Sequence, residues 1–211
     1  MTQLETKKKL KQATPSLLEK IHFIAASIDE SLRIILNEDW SSEQTDNRLV
    51  IRRFLEANFS ANFTREQLAL LNDLNWLPEA EHGYFSISHS KFLGGISYSQ
   101  FKHGLDVEEI RRISVDVLKR TCKPQEFEQA LRPEFLWVAK EAGLKALSGG
   151  CGYLRSTIPL LVSDLECFDW SSHFENRIFC FRLKSDKTLD LSLNKGFIFF
   201  EAEQLFCIYF K

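Results

Sequence analysis

The chain has 211 residues, of which 44% are hydrophobic, 12% aromatic and 27% charged, and its 27 Lys and Arg against 29 Asp and Glu leave a net charge of −2. This length supports one domain or two small ones, and so many aromatic residues with so little net charge exclude a disordered chain. The charge balance argues against a general nucleic-acid-binding surface, and no apolar run approaches the ~18 residues of a membrane span.

The five cysteines are scattered along the chain, and no two of them form a Cys-x-x-Cys pair. That pairing is typical of zinc sites and redox motifs, so neither is expected. We expect reduced and mostly buried thiols, in a cytoplasmic protein.

The first half of the chain predicts both helices and strands. Residues 1–15 are polar and predict a tail, and the apolar run 21–26 has the length of a strand. Apolar residues at helical spacing predict a helix over 47–58. Thr64, followed three residues later by Gln67, is typical of a capped helix start. Three strands are then predicted, over 84–88, 95–101 and 104–108.

The second half predicts helices first and strands afterwards. The segment 115–147 is mostly helical, with Pro124 and Pro133 at positions typical of a first helical turn. The clearest helix, 133–147, ends before the glycines of 148–152. The remaining strands are predicted over 177–183, 189–193, 197–201 and 205–210. Because helices and strands do not alternate regularly, the sequence predicts an α+β fold.

Asp106 and Glu108 form a carboxylate pair on the third predicted strand. Side chains alternate along a strand, so both carboxylates leave the same face. Two such charges repel each other unless protons or a cation join them, and carboxylate oxygens are ligands that Mg²⁺ accepts. The alternative is an exposed acidic edge, since Glu109 adds a third charge.

Trp137, Glu141 and Lys145 share one face of the clearest helix, because they are spaced i, i+4 and i+8. The rest of that helix is apolar, so a face with an aromatic ring, an acid and a base indicates a function. The alternative is an exposed ion pair beside a core tryptophan. Gly143 is also unusual, because glycine within a helix costs about 1 kcal/mol relative to alanine.

Ser86 and Ser88 share one face of the first predicted strand, and His89 lies at its end. A histidine there is a potential donor to a phosphate, and the alternative is a turn histidine with a structural partner. The glycine-rich segment 148–152 lacks the Lys and Ser/Thr of a phosphate-binding loop and follows a helix instead of a strand.

Taken in order, the three motifs are Ile87-Ser88-His89-Ser90, Gly104-Leu105-Asp106-Val107-Glu108 and Trp137-x-x-Lys140-Glu141-Ala142-x-x-Lys145. This order resembles the 4′-phosphopantetheinyl transferase superfamily, and in particular its two-lobed monomeric type. The resemblance covers roughly residues 84–152. It implies transfer of the 4′-phosphopantetheine arm of coenzyme A to a serine of an apo acyl or peptidyl carrier protein, with release of adenosine 3′,5′-bisphosphate.

The resemblance also implies a fold and a set of functional residues. The α+β fold would have two similar lobes related by a pseudo-twofold axis, 1–102 and 103–211, in a monomer. Mg²⁺ would be held by Asp106, Glu108 and Glu141. Glu141 would be the base for the carrier serine, with Glu108 or a metal-bound water as alternatives, and Lys145 would assist catalysis. The implied ligands of coenzyme A are Ser88, His89, Lys145, Lys140, Arg48 and Arg52.

One segment departs from the family pattern. Residues 75–81 lack the Gly-Lys-Pro loop that usually precedes the Ser-His-Ser motif, and they contain Glu79 and Glu81. The alternative function is therefore a catalytically silent relative that binds coenzyme A or a carrier protein without transfer. A third alternative is a structural α+β protein whose motifs match by chance. For the transferase, we expect the carrier to dock on apolar residues beside the metal-site helix, namely Phe127, Leu131 or Leu118.

Overall fold

The computed structural model describes residues 19, 29–41, 47–70, 83–147, 160–173, 177–186, 194–201 and 203–211. The predicted tail and the strands predicted over 21–26 and 189–193 lie outside these residues, as do the segments 75–81 and 148–152. The cysteines in the described part of the chain, Cys122, Cys167, Cys180 and Cys207, are free thiols.

The described helices are α1 (Asn47–Phe59), α2 (Arg65–Leu70), α3 (Val115–Thr121), α4 (Pro124–Gln129) and α5 (Pro133–Leu147). The helix predicted over 47–58 is confirmed as α1. The predicted cap of α2 is also confirmed, because the Thr64 amide donates to Gln67 Oε1 (2.7 Å) and the Gln67 amide donates to Thr64 Oγ1 (3.2 Å). Pro124 and Pro133 open α4 and α5 as predicted. None of the helices in these ranges is long and apolar enough to cross a membrane.

The described strands form two antiparallel sheets. The first has the order β1-β3-β2 and the second has the order β4-β8-β7-β6-β5. The strands predicted over 84–88, 95–101, 104–108, 177–183, 197–201 and 205–210 are confirmed, with small shifts at their ends. The strand bounds are β1 (Arg33–Asn37), β2 (Tyr84–His89), β3 (Gly94–Ser99), β4 (His103–Glu109), β5 (Glu166–His173), β6 (Ile178–Lys184), β7 (Lys195–Glu201) and β8 (Gln204–Phe210).

The sequence did not predict β1 and β5, which are both edge strands of their sheets. The exposed outer half of β5 contains Asp169, Ser171 and Ser172, and its pairing with β6 shifts register between Phe168 and Ser171. A polar, bulged edge strand does not show clean alternation of apolar and polar residues, so its pairing with a neighbour decides its structure.

Among the described residues, three apolar clusters separate four layers. Ile51 and Leu55 of α1 pack against one face of the first sheet. Leu32 and Ile34 from the other side of that sheet pack against one face of the second sheet, which is rich in phenylalanine. Helix α5 covers the remaining face of the second sheet. The chain is therefore an α+β protein with the layer order helix, sheet, sheet, helix, and it passes from one sheet to the other between β3 and β4.

Candidate functional site

Helix α5 has one partly exposed stripe. Between Phe135 and Ala146, only Trp137, Glu141 and Lys145 are half-buried, and every other residue is buried. The predicted common face of these three residues is confirmed. The polar groups of the stripe are therefore partly exposed on an otherwise apolar helix.

Strand β4 presents the carboxylate pair to this helix. Leu105 and Val107 belong to the cluster between the two sheets, so the alternate residues Asp106 and Glu108 face the other side. β4 is also the edge strand of the second sheet. The pair consequently lies at a sheet edge next to α5.

Two glycines allow α5 to lie directly on the sheet. A Cβ atom at Gly104 would overlap the carbonyl oxygen of Ala142 and would lie 2.8 Å from the amide nitrogen of Ala146. A Cβ atom at Gly143 would overlap the buried side chain of Leu183. These contacts explain the glycine within the helix, and they bring the stripe of α5 close to β4.

Lys145 is the residue of α5 that reaches the carboxylate pair. Its ammonium group donates to Asp106 Oδ1 at 2.8 Å, to the Leu105 carbonyl oxygen at 2.9 Å and to Ser88 Oγ at 3.0 Å. Ser88 Oγ in turn donates to Asp106 Oδ1 at 3.0 Å. Residues from all three motifs, which lie far apart in the sequence, are thus in direct contact.

Serine side chains of β2 also join the two sheets. The amide of Leu105 donates to Ser86 Oγ at 2.8 Å, and the amide of Val107 donates to Ser88 Oγ at 3.0 Å. These amides lie on the edge of β4 that pairs with no other described strand. Sequence analysis missed this structural role, although the alternation of Ser86, Ser88 and Ser90 was a signal for it. Ser90 makes a similar link, since its hydroxyl donates to Gln204 Oε1 at 2.6 Å.

Glu108 is less buried than Asp106, with 22% of its side chain exposed. Its Oε1 accepts a hydrogen bond from the Glu109 amide at 2.9 Å, and Arg112 Nη1 lies 3.9 Å from the same oxygen. Burial raises the pKa of the Glu108 carboxyl, and the negative charge of Asp106 acts in the same direction. The protein therefore holds two carboxylates whose mutual repulsion a cation would relieve.

The chemistry of these donors fits a Mg²⁺ ion, because Asp106 and Glu108 are hard oxygen ligands on one face of a strand. Glu141 lies on the neighbouring stripe, one helical turn before Lys145. Within the described ranges, no three Asp, Glu, His or Cys side chains are close enough together to form a metal-binding group. The assignment of Asp106, Glu108 and Glu141 as metal ligands stays a prediction.

Lys140 lies elsewhere, which corrects its prediction as a ligand of coenzyme A. Its side chain is fully buried, and its ammonium donates to the Thr121 carbonyl oxygen at 2.7 Å and to Glu126 Oε2 at 2.8 Å. The cause is the helical rotation of about 100° between successive residues, which turns Lys140 away from the stripe that carries Glu141. Lys140 is part of a buried ion pair that holds α5 to α4.

The other residues predicted to bind coenzyme A lie on β2 and α1. His89 is half-buried at the end of β2, next to Ser88 in the chain. Arg52 is only 7% exposed on α1, so its guanidinium group does not lie on a solvated face of the helix. Arg48 belongs to α1, but its side chain lies outside the described part of the structure. The binding roles predicted for these residues remain predictions.

The sequence matches no protein-family model, and no curated protein is significantly similar to it.

Proposed function

We propose that the protein is a Mg²⁺-dependent 4′-phosphopantetheinyl transferase that modifies a carrier protein with the phosphopantetheine arm of coenzyme A. The observation that supports this proposal is the contact of Lys145, Asp106 and Ser88, which joins the three motifs in one place. A chance match of three short motifs does not require that their residues meet in space.

The proposed reaction has a simple balance of bonds. The serine oxygen of the carrier forms a bond to the phosphorus that bears the pantetheine arm, and the bond from that phosphorus to the bridging diphosphate oxygen breaks. The serine proton passes to a carboxylate of this chain, and adenosine 3′,5′-bisphosphate leaves. Bound Mg²⁺ supplies neutralisation of the diphosphate and leaving-group charge.

Side chains of this chain have distinct roles in the proposal. Asp106, Glu108 and Glu141 hold the cation. Glu141, which is half-buried on the stripe of α5, accepts the serine proton. Glu108 is the alternative base, because its carboxylate leaves the same face of β4 as that of Asp106. Lys145 binds a phosphate of coenzyme A, and His89 and Arg52 serve the nucleotide end.

Intact-mass spectrometry of an apo carrier protein tests the proposal. The carrier is incubated with this protein, coenzyme A and Mg²⁺, and we expect a mass gain of one phosphopantetheine. Glu108→Ala and Glu141→Ala should each abolish the gain, whereas Glu128→Gln, which changes an exposed carboxylate on α4, should leave it intact. No gain on any of several acyl and peptidyl carriers would contradict the transferase.

A second candidate is a silent relative that binds coenzyme A without transferring its arm. Glu79 and Glu81 favour it, because they place negative charge in the segment where the family usually has a lysine. Calorimetry with coenzyme A separates the two candidates. Binding without any carrier modification would support the silent relative.

The three apolar residues predicted to dock the carrier protein differ in their exposure. Leu118 is only 2% exposed and belongs to the core, so it does not contact a partner. Phe127 packs partly against the same core, whereas Leu131 is 56% exposed just before α5. Leu131 is therefore the residue of the three that is best placed for a carrier.

Leu131→Ala should raise the KM for the carrier roughly fivefold and leave kcat unchanged, because truncating an interface leucine removes docking contacts alone. Leu161→Ala is a matched control, since Leu161 is also 56% exposed. Steady-state kinetics with varied carrier concentration measure both variants. Equal KM values for Leu131→Ala and the wild type would contradict this docking surface.

A further inference from the structure

The ammonium group of Lys145 uses its full hydrogen-bonding capacity within the protein. A lysine ammonium has three N–H donors and no acceptor. Three acceptors already contact it here, namely Asp106 Oδ1, the Leu105 carbonyl oxygen and Ser88 Oγ. A phosphate ligand can bind Lys145 through a hydrogen bond only if one of these acceptors is given up.

The hydroxyl of Ser88 is equally committed. A serine hydroxyl has one donor and two acceptor positions. Ser88 donates to Asp106, and it accepts from the Val107 amide and from Lys145. Ser88 of β2 and the Leu105 carbonyl oxygen of β4 therefore both help to hold the ammonium group of Lys145 at Asp106.

The ammonium group also offsets the negative charge of Asp106. The side chain of Asp106 is only 9% exposed and that of Lys145 is 24% exposed. A carboxylate with so little exposure requires a partner of opposite charge, and the ammonium supplies it. A divalent cation at Asp106 would add a second positive partner within a few ångströms of the first, and the two would repel each other.

We propose that Lys145 acts as the resident counter-cation of Asp106 and that a divalent cation takes Asp106 Oδ1 as a ligand only when the ammonium leaves that oxygen. The departing ammonium is then available to an anionic group of the ligand. This inference rests on the proposed function, because it takes Asp106 as the cation site. Lys145 would then exchange the Asp106 carboxylate for a phosphate of the ligand. Phosphate binding by Lys145 would therefore depend on the bound cation.

Lysine acylation followed by peptide mass spectrometry tests the exchange on the full-length protein. Without a divalent cation, Lys145 should react slowly, because its nitrogen is held in hydrogen bonds to Asp106, Leu105 and Ser88. Saturating Mg²⁺ alone should raise its labelling several-fold, while the exposed Lys119 changes little. In Asp106→Asn, Lys145 should label rapidly with or without Mg²⁺. Unchanged labelling of Lys145 in wild-type protein that has bound Mg²⁺ would overturn the inference.

Cation affinity provides an independent readout that needs no coenzyme A. Lys145→Gln should bind Mn²⁺ about tenfold more tightly than the wild type, since the competing ammonium is removed. Arg112→Gln is the matched control, because Arg112 lies 3.9 Å from Glu108 and loses the same charge with its side chain 51% exposed. Its exposed ion pair should change the affinity less than twofold.

The outcomes separate this inference from the proposed function. Equal gains in Lys145→Gln and Arg112→Gln would mean a general charge effect and would overturn the exchange. Absence of Mn²⁺ binding to the wild type and to Lys145→Gln would also overturn it. In either case, a mass gain of one phosphopantetheine on a carrier protein would still support the proposed transferase activity.

Discussion

Serine side chains of β2 accept hydrogen bonds from backbone amides of the second sheet, and one of them also contacts the candidate site. Ser86 satisfies the edge amide of Leu105, and Ser88 does the same for Val107 while it also contacts Asp106 and Lys145. The sequence shows that the serines share a face, because strand periodicity fixes this. It does not show their partners, which are amides 19 positions away in a different sheet and, for Ser88, a lysine 57 positions away on α5.

We expect the protein to lose stability in acid because His103 is buried in its neutral form. It is 1% exposed, its Nδ1–H donates to the Phe101 carbonyl oxygen at 3.0 Å, and its Nε2 accepts from the Ser97 hydroxyl at 2.7 Å. Burial lowers the pKa of His103 from 6.5 to about 4, although the negative charge of Asp29 acts in the opposite direction. The native state therefore disfavours the protonated ring.

The stabilising effect of neutral His103 is fully present above pH 6.5 and is lost as the pH falls from 6.5 toward 4. The loss from this group amounts to about 3 kcal/mol of unfolding free energy. Urea titrations across this range should show a flatter pH dependence for His103→Gln, whereas His173→Gln, an exposed control, should follow the wild type. Parallel pH curves for His103→Gln and the wild type would contradict the prediction.

Glu108→Gln should raise the thermal midpoint of the metal-free protein at pH 7. The raised pKa of Glu108 means that its charged form opposes folding at neutral pH, and glutamine removes the charge but keeps an acceptor. The advantage should shrink as the pH falls toward the pKa and the wild-type carboxyl becomes protonated. Calorimetry at several pH values measures this effect, with Glu128→Gln as the exposed control. A lower midpoint for Glu108→Gln at pH 7 would show that its charge is stabilising.

At the scale of elements, the contact of α5 with β4 determines the site. Strand alternation places Asp106 and Glu108 on one face, and helical spacing places Glu141 and Lys145 on one stripe. These two patterns were predictable from the sequence alone. The distance between the carboxylate pair of β4 and the stripe of α5 could not be predicted. This distance depends on the absence of a side chain at Gly104.

Gly104→Ala should destabilise the fold by about 1–3 kcal/mol and impair the site, because the added methyl group would overlap helix backbone that has no rotamer to change. Gly95→Ala is a milder control, since its methyl group would meet the end of the Leu36 side chain at 2.8 Å. Denaturation and Mn²⁺ binding measure the two effects. A Gly104→Ala protein with wild-type stability and affinity would disprove the close packing.

At the scale of the whole molecule, the two sheets behave as one unit, because residues of both sheets pack in a common apolar cluster. Val107 contributes its side chain to this cluster and its amide to Ser88. Separation of the halves would therefore expose apolar surface and break the hydrogen bonds that join the edge amides of β4 to Ser86 and Ser88.

Ser86→Ala should lower the unfolding free energy by about 1–3 kcal/mol, because the buried Leu105 amide loses its acceptor. The loss should appear within a single cooperative transition. Fluorescence and far-UV circular dichroism should give the same midpoint. Two separate transitions would show that the halves fold independently and that the common cluster contributes little.

The sequence by itself determined the class of fold, the starts of α2, α4 and α5, the alternation of β4 and the polar stripe of α5. These features depend on local periodicity and on proline and cap chemistry. The tertiary structure alone decided that β5 pairs as a bulged edge strand, that Lys140 turns inward to Glu126, and that Lys145 rests on Asp106. These outcomes depend on contacts between residues distant in the chain, and such contacts are set by which faces are covered when the layers pack. Sequence periodicity assigns a side chain to a face, whereas packing decides what that face meets.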